Sequence, residues 1–213
     1  MTGPTATGAA RQTAGDVLRM PIAGTDAALL GALRSSHADA PRQLVERYGS
    51  LVRRVLGRVL GPDPEINDLL QDVFVTALSS LDKVKHPHLL SNWLTGIAVF
   101  KARAKIRRRV RWRFLHFLPQ EEIPEQEGPS RSEEASEALR VTYRILGGLP
   151  ADERIAFSLR FIDGMELTEV ADACAVSLAT IKRRLRRAQD HFVEQARQEP
   201  CLGEWIGRSR WTE

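Results

Sequence analysis

The sequence predicts an all-α protein made of two small helical domains joined by an acidic, flexible linker. Three observations carry that prediction. Apolar residues recur at steps of three and four through most of the chain, the pattern of helices with one buried stripe. No long run of β-branched residues alternates as a strand would, and aromatic residues make up only 6% of the chain. Between positions 119 and 134 the periodicity gives way to PQEEIPEQEGPSRSEE, acidic and proline-rich, which reads as an extended tether between two packed bodies. With 213 residues there is room for two small domains. The expected division is a disordered tail over 1–25, a first domain over 26–116, the linker over 117–136, a second domain over 137–195 and a C-terminal tail over 196–213.

Met1 to Gly24 is rich in Thr, Ala, Gly and Pro and lacks apolar periodicity. A short helix follows from Asp26 through Leu29, Leu30 and Leu33. After Pro41 a longer one carries Leu44, Val45, Tyr48, Leu51, Val52, Val55, Leu56 and Val59 inward and Arg47, Arg53, Arg54 and Arg58 outward, until Gly61-Pro62-Asp63-Pro64 stops it. A third helix spans Glu65 to Ser80, with Leu69, Val73 and Leu78 facing the core and Asp68, Gln71, Asp72 and Phe74 clustered on its other side. A polar loop, Asp82 to Ser91, carries Lys83, Lys85, His86 and His88. The next helix opens with Asn92, Trp93 and Leu94 and runs through Lys101, Arg103, Lys105, Arg107, Arg108, Arg109, Arg111 and Arg113 without one acidic residue, while Leu94, Ile97, Ala98, Ala102 and Ile106 keep an apolar stripe. Past the linker, helices are expected from Glu133 to Leu146 and from Ala151 to Ile162, the latter with Pro150 at its start and Asp163-Gly164 at its end.

LTEVADACAVSLATIKRRLRRAQ, from Leu167 to Gln189, reads as two helices joined by a tight turn. Val170, Ala171 and Ala173 give the first an apolar face. Ser177 is placed to cap the second, in which Leu178, Ile181, Leu185 and Ala188 form one stripe. At about 100° per residue, Arg183, Arg186 and Arg187 lie opposite that stripe, flanked by Lys182 and Thr180. This is helix-turn-helix spacing, which delivers a cationic second helix to a major groove. Cations near a helix C-terminus also complement its dipole, but one or two suffice for that purpose. Ala175 occupies the turn position where glycine is usual.

Composition narrows the class. The net charge of +4 understates the basicity, because cations and anions are segregated along the chain, a pattern suited to a polyanionic partner. The two cysteines, Cys174 and Cys201, lie far apart without a CxxC, arguing against a disulfide framework or zinc site and for a reducing, cytoplasmic setting. Cys174 reads as a small core residue. No apolar run approaches membrane-spanning length, and the first residues lack a signal peptide's pattern. The five histidines are scattered, and no HExxH or glycine-rich phosphate loop occurs, so neither catalytic residues nor a metal or other cofactor is expected.

Taken together, DLLQDVF (Asp68 to Phe74), NWLTGIA (Asn92 to Ala98), Leu149-Pro150 with Arg154, Glu169-Val170-Ala171 and Thr180 to Ala188 resemble the bacterial RNA polymerase sigma factors of the extracytoplasmic-function type, across about residues 26–195. The resemblance implies sigma regions 2 and 4. It assigns Asp68, Leu69, Gln71, Asp72 and Phe74 to docking on the polymerase β′ clamp. Lys83, Lys85, His88, Asn92, Trp93, Lys101, Lys105 and Arg108 fall to the promoter −10 region, and Thr180, Lys182, Arg183, Arg186 and Arg187 to the −35 element. Phe100 and Ala104 stand where the family often carries Asn and Asp. The partners implied are core RNA polymerase, through its β′ clamp and β flap, promoter DNA and a cognate anti-sigma factor. In the family the linker threads the polymerase cleft; an inert tether is the alternative. The function implied is promoter recognition and melting at −10. The rival reading, a helix-turn-helix regulator that is no polymerase subunit, explains the second half equally well and leaves DLLQDVF and NWLTGIA without a role. An enzyme acting on nucleic acid has no motif in its favour.

Overall fold

The computed structural model describes residues 24–116 and 133–203, and every regular element in them is helical. The order is α1 (Asp26–Arg34), α2 (Ala40–Leu60), α3 (Ile66–Leu78), α4 (Leu90–His116), α5 (Glu133–Gly148), α6 (Ala151–Phe157), α7 (Leu167–Cys174) and α8 (Leu178–Ala196), with short 3₁₀ turns at Leu81–Lys83, Pro87–Leu89 and Pro200–Leu202. The expected tail and most of the linker, with Trp205, Ile206 and Trp211, lie outside the described residues. The last four linker positions, 133–136, are already helical.

Four helices build the first unit. Thr25 caps α1 by accepting from the Ala28 amide at 3.2 Å, and Asp26 takes hydrogen bonds from Arg47 (2.9 Å) and the Tyr48 phenol (2.6 Å), tying α1 to α2. Burial, with Asp26 beside it, pushes the Tyr48 phenol well above its ordinary pKa. Leu44, Val52, Val55, Leu56 and Val59 are buried as their spacing requires, but Val45 is exposed. It sits one step past the edge of the stripe that Leu44 and Tyr48 define. Gly61, at φ 73, ends α2 in a conformation that L side chains avoid. α3 and α4 both pack on α2 and on each other.

The second unit comprises α5 to α8. Phe157 sits at its centre between Phe161 (4.9 Å) and Phe192 (4.8 Å), enclosed by Val141, Leu146, Leu149 and Ala188. Helix α6 runs into a π-helical turn at Ser158–Ile162, so the continuous α-helix expected to Ile162 widens in its last turn. Leu202 packs into the same core, and Arg144 meets Glu199 at 2.8 Å, folding the start of the C-terminal segment against α5.

The two units are in contact. One apolar cluster runs from α1–α4 into Ile155, Leu159, Val170, Ala173, Cys174 and Ile181. α4 packs on α6 and α7, and α2 on the π turn. Arg154 donates to the carbonyls of Val59 and Leu60, both at 2.9 Å, and the Tyr143 hydroxyl to those of Gly57 (3.2 Å) and Arg58 (3.1 Å). The carbonyls of Arg58, Val59 and Leu60 lie beyond the last backbone donor of α2, while that of Gly57 also accepts from the Gly61 amide at 2.9 Å. Arg54 pairs with Asp163 at 3.1 Å.

Candidate nucleic-acid interface

The turn between α7 and α8 is held from both sides. Glu166 and Glu169 form a capping box at the start of α7, and Ser177 caps α8 by accepting from the Thr180 amide at 3.2 Å. Ala175 adopts φ 54, ψ 46, the left-handed conformation that the turn demands and that a Cβ opposes. Its amide still reaches the Asp172 carbonyl at 3.0 Å, and the Val176 amide reaches that of Ala171 at 3.1 Å. The turn therefore closes despite alanine.

On α8, Ile181, Leu185 and Ala188 are buried, while Lys182, Arg183, Arg186 and Arg187 are exposed together along the opposite side. Among the described residues none of these four cations forms an ion pair. Leu178, expected in the buried stripe, is instead exposed. Helical side chains lean toward the N-terminus, so one at the first position overhangs the end of the helix. The Thr180 hydroxyl lies 2.9 Å from that of Ser177, so it is shared with the cap.

Helix α4 behaves differently. Lys105, expected at the −10 DNA, is 3% exposed, its ammonium 2.5 Å from Glu65 and 3.4 Å from Asp63. The structure corrects that expectation: the helical period turns position 105 inward beside Ala102 and Ile106. Arg109 completes the Asp63 site at 2.9 Å, and Arg108 meets Glu65 at 3.0 Å while staying half out in solvent. The Lys105 ammonium holds the Glu65 carboxyl below its ordinary pKa. Further along, Asp152 of α6 takes Arg103 (2.8 Å) and Arg107 (3.2 Å) from α4 and Arg184 (3.3 Å) from α8. Sequence reading passed over Asp152 entirely. Its position two residues after Pro150, in a helix first turn, reads as a plain dipole complement.

The outer stripe of α4 is Trp93 and Ile97, half-buried against the core, then the exposed Phe100, Ala104, Arg108 and Arg111, apolar first and basic later. Trp93 and Lys101 are half-buried, Trp93 against the core; Asn92 is exposed. The loop before α4 presents Lys83, Lys85, His86 and His88 outward, the two imidazoles stacked at 5.4 Å, while Val84 anchors it inward and Arg34 grips the Val84 carbonyl. No group of three or more His, Cys, Asp or Glu among the described residues could hold a metal ion.

On α3, Asp68, Gln71 and Asp72 are exposed together and Leu69 is half-buried. Phe74 is buried in the core, so its assignment to a docking surface does not hold in this structure. Six residues at about 100° each turn position 74 roughly 120° away from position 68. Val75, which the motif skips, comes back to the face of Asp68 and Asp72 and is 59% exposed. An exposed apolar residue amid acidic ones is what the motif's spacing concealed.

Comparisons with known proteins bear on this arrangement. The family model for Sigma-70 region 2 matches residues 44–112 and that for Sigma-70, region 4 matches residues 139–191, together more than half of the chain. The ECF RNA polymerase sigma-E factor of Escherichia coli K12 is 26% identical over 175 residues, covering 78% of this chain and 91% of the relative. The protein of the same description from Haemophilus influenzae is 24% identical over 180 residues, covering 78% and 92%. Two solved structures share the fold. CnrH in complex with the cytosolic domain of CnrY has a TM-score of 0.56 at 23% identity, covering 82% of this chain and 98% of that one. The sigma factor RpoE in complex with the anti-sigma factor NepR, from Bartonella quintana, has a TM-score of 0.59 at 21% identity, covering 76% and 99%.

Proposed function

Since the chain belongs to the sigma-70 family, with its regions 2 and 4 and the stamp of the extracytoplasmic-function type, we propose a division of labour among its surfaces. It is a sigma factor that directs RNA polymerase to promoters. Asp68, Gln71, Asp72 and Val75 of α3 dock on the polymerase, the acidic groups steering and the valine supplying apolar contact. Arg183, Arg186 and Arg187 with Lys182 enter the −35 major groove, where arginine reads guanine edges and lysine grips phosphate. The loop from Lys83 to Leu89 and the outer stripe of α4 meet the −10 region, where unpaired bases stack and basic groups follow the backbone. The protein has no catalytic role of its own and works in the cytoplasm beside its polymerase; no helix among the described residues is long and apolar enough to cross a membrane. An anti-sigma partner fits because one similar fold, the sigma factor RpoE, is a complex with the anti-sigma factor NepR.

The observation that carries the reading is the pairing of a region 2 with a region 4 in one chain. A regulator that only binds DNA needs the second alone. Run-off transcription with purified core polymerase tests it: transcripts from the cognate promoter should require this protein. DNA binding without initiation by core plus protein would refute it. Asp68→Lys with Asp72→Lys should weaken polymerase binding and leave −35 duplex affinity unchanged.

A further inference from the structure

The loop that enters α4 has few internal means of holding its shape. From Asp82 to Leu89 it presents Lys83, Lys85, His86 and His88 to solvent, and Val84 is its one buried residue. Its two 3₁₀ turns each close on themselves, the Val84 amide donating to the Leu81 carbonyl at 3.2 Å and the Leu89 amide to that of His86 at 3.0 Å. Between them, the Val84 carbonyl accepts from no backbone amide among the described residues. Its partner is Arg34, 50 positions earlier in the last turn of α1, whose guanidinium donates to it and lies 3.5 Å from the Leu81 carbonyl. A cation in a last turn ordinarily complements the helix dipole; Arg34 aims its donors at the loop instead. Helix α1 is a firm base for that grip. Its other end is tied to α2 through Asp26, Arg47 and Tyr48, its Leu29, Leu30 and Leu33 are buried, and it packs on both 3₁₀ turns.

We propose that Arg34 is a positioning residue for promoter reading: it holds the loop from Lys83 to His88 in the shape that meets an unpaired −10 base, and touches no DNA itself. The proposal rests on the sigma-factor reading above. The Val84 carbonyl is part-buried, so loss of its donor leaves a polar group short of a partner. The loop regains one from water only by lifting Val84, the side chain that anchors it, and Lys83 and Lys85 on either side move with it. A loop freed in this way binds the strand only for the fraction of time that it keeps the right shape, and apparent affinity falls by that fraction. Charge contacts to an arbitrary strand, made by long lysine stems, survive the loss. Base discrimination is therefore the property that Arg34 governs. Arginine suits the task because its planar fork is pre-organised, whereas lysine offers a compact charge on a flexible stem.

The test uses the full chain, free and assembled with core polymerase. In the free chain, hydrogen exchange over residues 82–89, read by mass spectrometry, should quicken about tenfold in Arg34→Ala, with α3 and α8 exchanging as in the parent. In the holoenzyme the probe is a dye-labelled single strand carrying the −10 segment of the promoter that gives the strongest run-off transcript, set against a scrambled strand of the same composition. Arg34→Ala should lower affinity for the −10 strand by about five- to tenfold and for the scrambled strand by less than about twofold, with Arg34→Lys in between. The dependence of log affinity on log salt should keep the parent's slope. A slope shallower by about 0.7 would make Arg34 a phosphate ligand and overturn the proposal. Loop exchange equal to the parent's, or an equal drop on both strands, would overturn it too. The two ideas fail separately. A parent holoenzyme with no preference for the −10 strand removes the −10 assignment and this proposal together, whereas a parent that prefers it and an Arg34→Ala holoenzyme that prefers it equally removes the proposal alone.

Discussion

Helices α4 and α8 each carry a dense run of cations, and they use their charge in opposite ways. On α8 the cations Lys182, Arg183, Arg186 and Arg187 stand together in solvent over a dry stripe. On α4, Arg103, Lys105, Arg107, Arg108 and Arg109 are all paired with Asp63, Glu65 or Asp152. The difference shows that a run of arginines is no measure of an anion-binding surface until its internal carboxylates are known. Helix α8 leaves four cations exposed at its surface; much of the charge on α4 holds this molecule together.

The sharpest way to break that contrast is Lys105→Ala. It leaves the fully buried Asp63 carboxylate with only Arg109 among its charged partners and should cost about 3–5 kcal/mol in urea unfolding, as removal of one partner from a buried pair does. A loss below about 1 kcal/mol would return Lys105 to the list of DNA contacts. Next in size, Arg183→Ala or Arg186→Ala should weaken −35 duplex binding by about 1–3 kcal/mol with unfolding unchanged, measured by fluorescence anisotropy on matched and mutated duplexes. Unaltered base preference would show that the groove-facing side of α8 is another one. Ala175→Gly should stabilise the second unit by about 1 kcal/mol in the same unfolding assay, because it removes a Cβ from a left-handed turn. Smallest is the acid response of Glu65. Lys105 lowers its folded pKa, so its contribution is present above the ordinary carboxylate range and is lost as pH falls through the lowered folded value. An unfolding midpoint followed downward in pH should therefore drop less steeply in Glu65→Gln than in the parent chain.

Much of this was readable beforehand, and the part that was not has a common cause. Helix positions, the Ser177 cap and the basic side of α8 follow from neighbours within four residues, where spacing alone sets geometry. The burial of Lys105 depends on Asp63 and Glu65 across a loop that reads only as a helix stop, and the role of Asp152 depends on arginines 49 and 45 positions before it and 32 after it. Periodicity carries no record of such pairs. Phe74 and Val75 failed for a subtler reason. The spacing of three in D-x-x-Q-x-x-F is shorter than the helical repeat, so a motif that looks like one side of a helix winds around it. The linker's role cannot be read the same way, since it has no periodic side to assign.

The acidic partners of α4 also differ in when the growing chain supplies them. Asp63 and Glu65 leave the ribosome before the basic helix, so Lys105, Arg108 and Arg109 find their carboxylates as α4 forms. Asp152 comes 45 residues after Arg107, an interval of about 2–9 s at ordinary elongation rates of about 5–20 residues per second. During those seconds Arg103 and Arg107 are open, and the apolar cluster of α1–α4 still lacks the residues that the second unit adds to it. The nascent protein thus passes once through a state with its docking face and its basic helix both exposed, before its own later residues cover that helix.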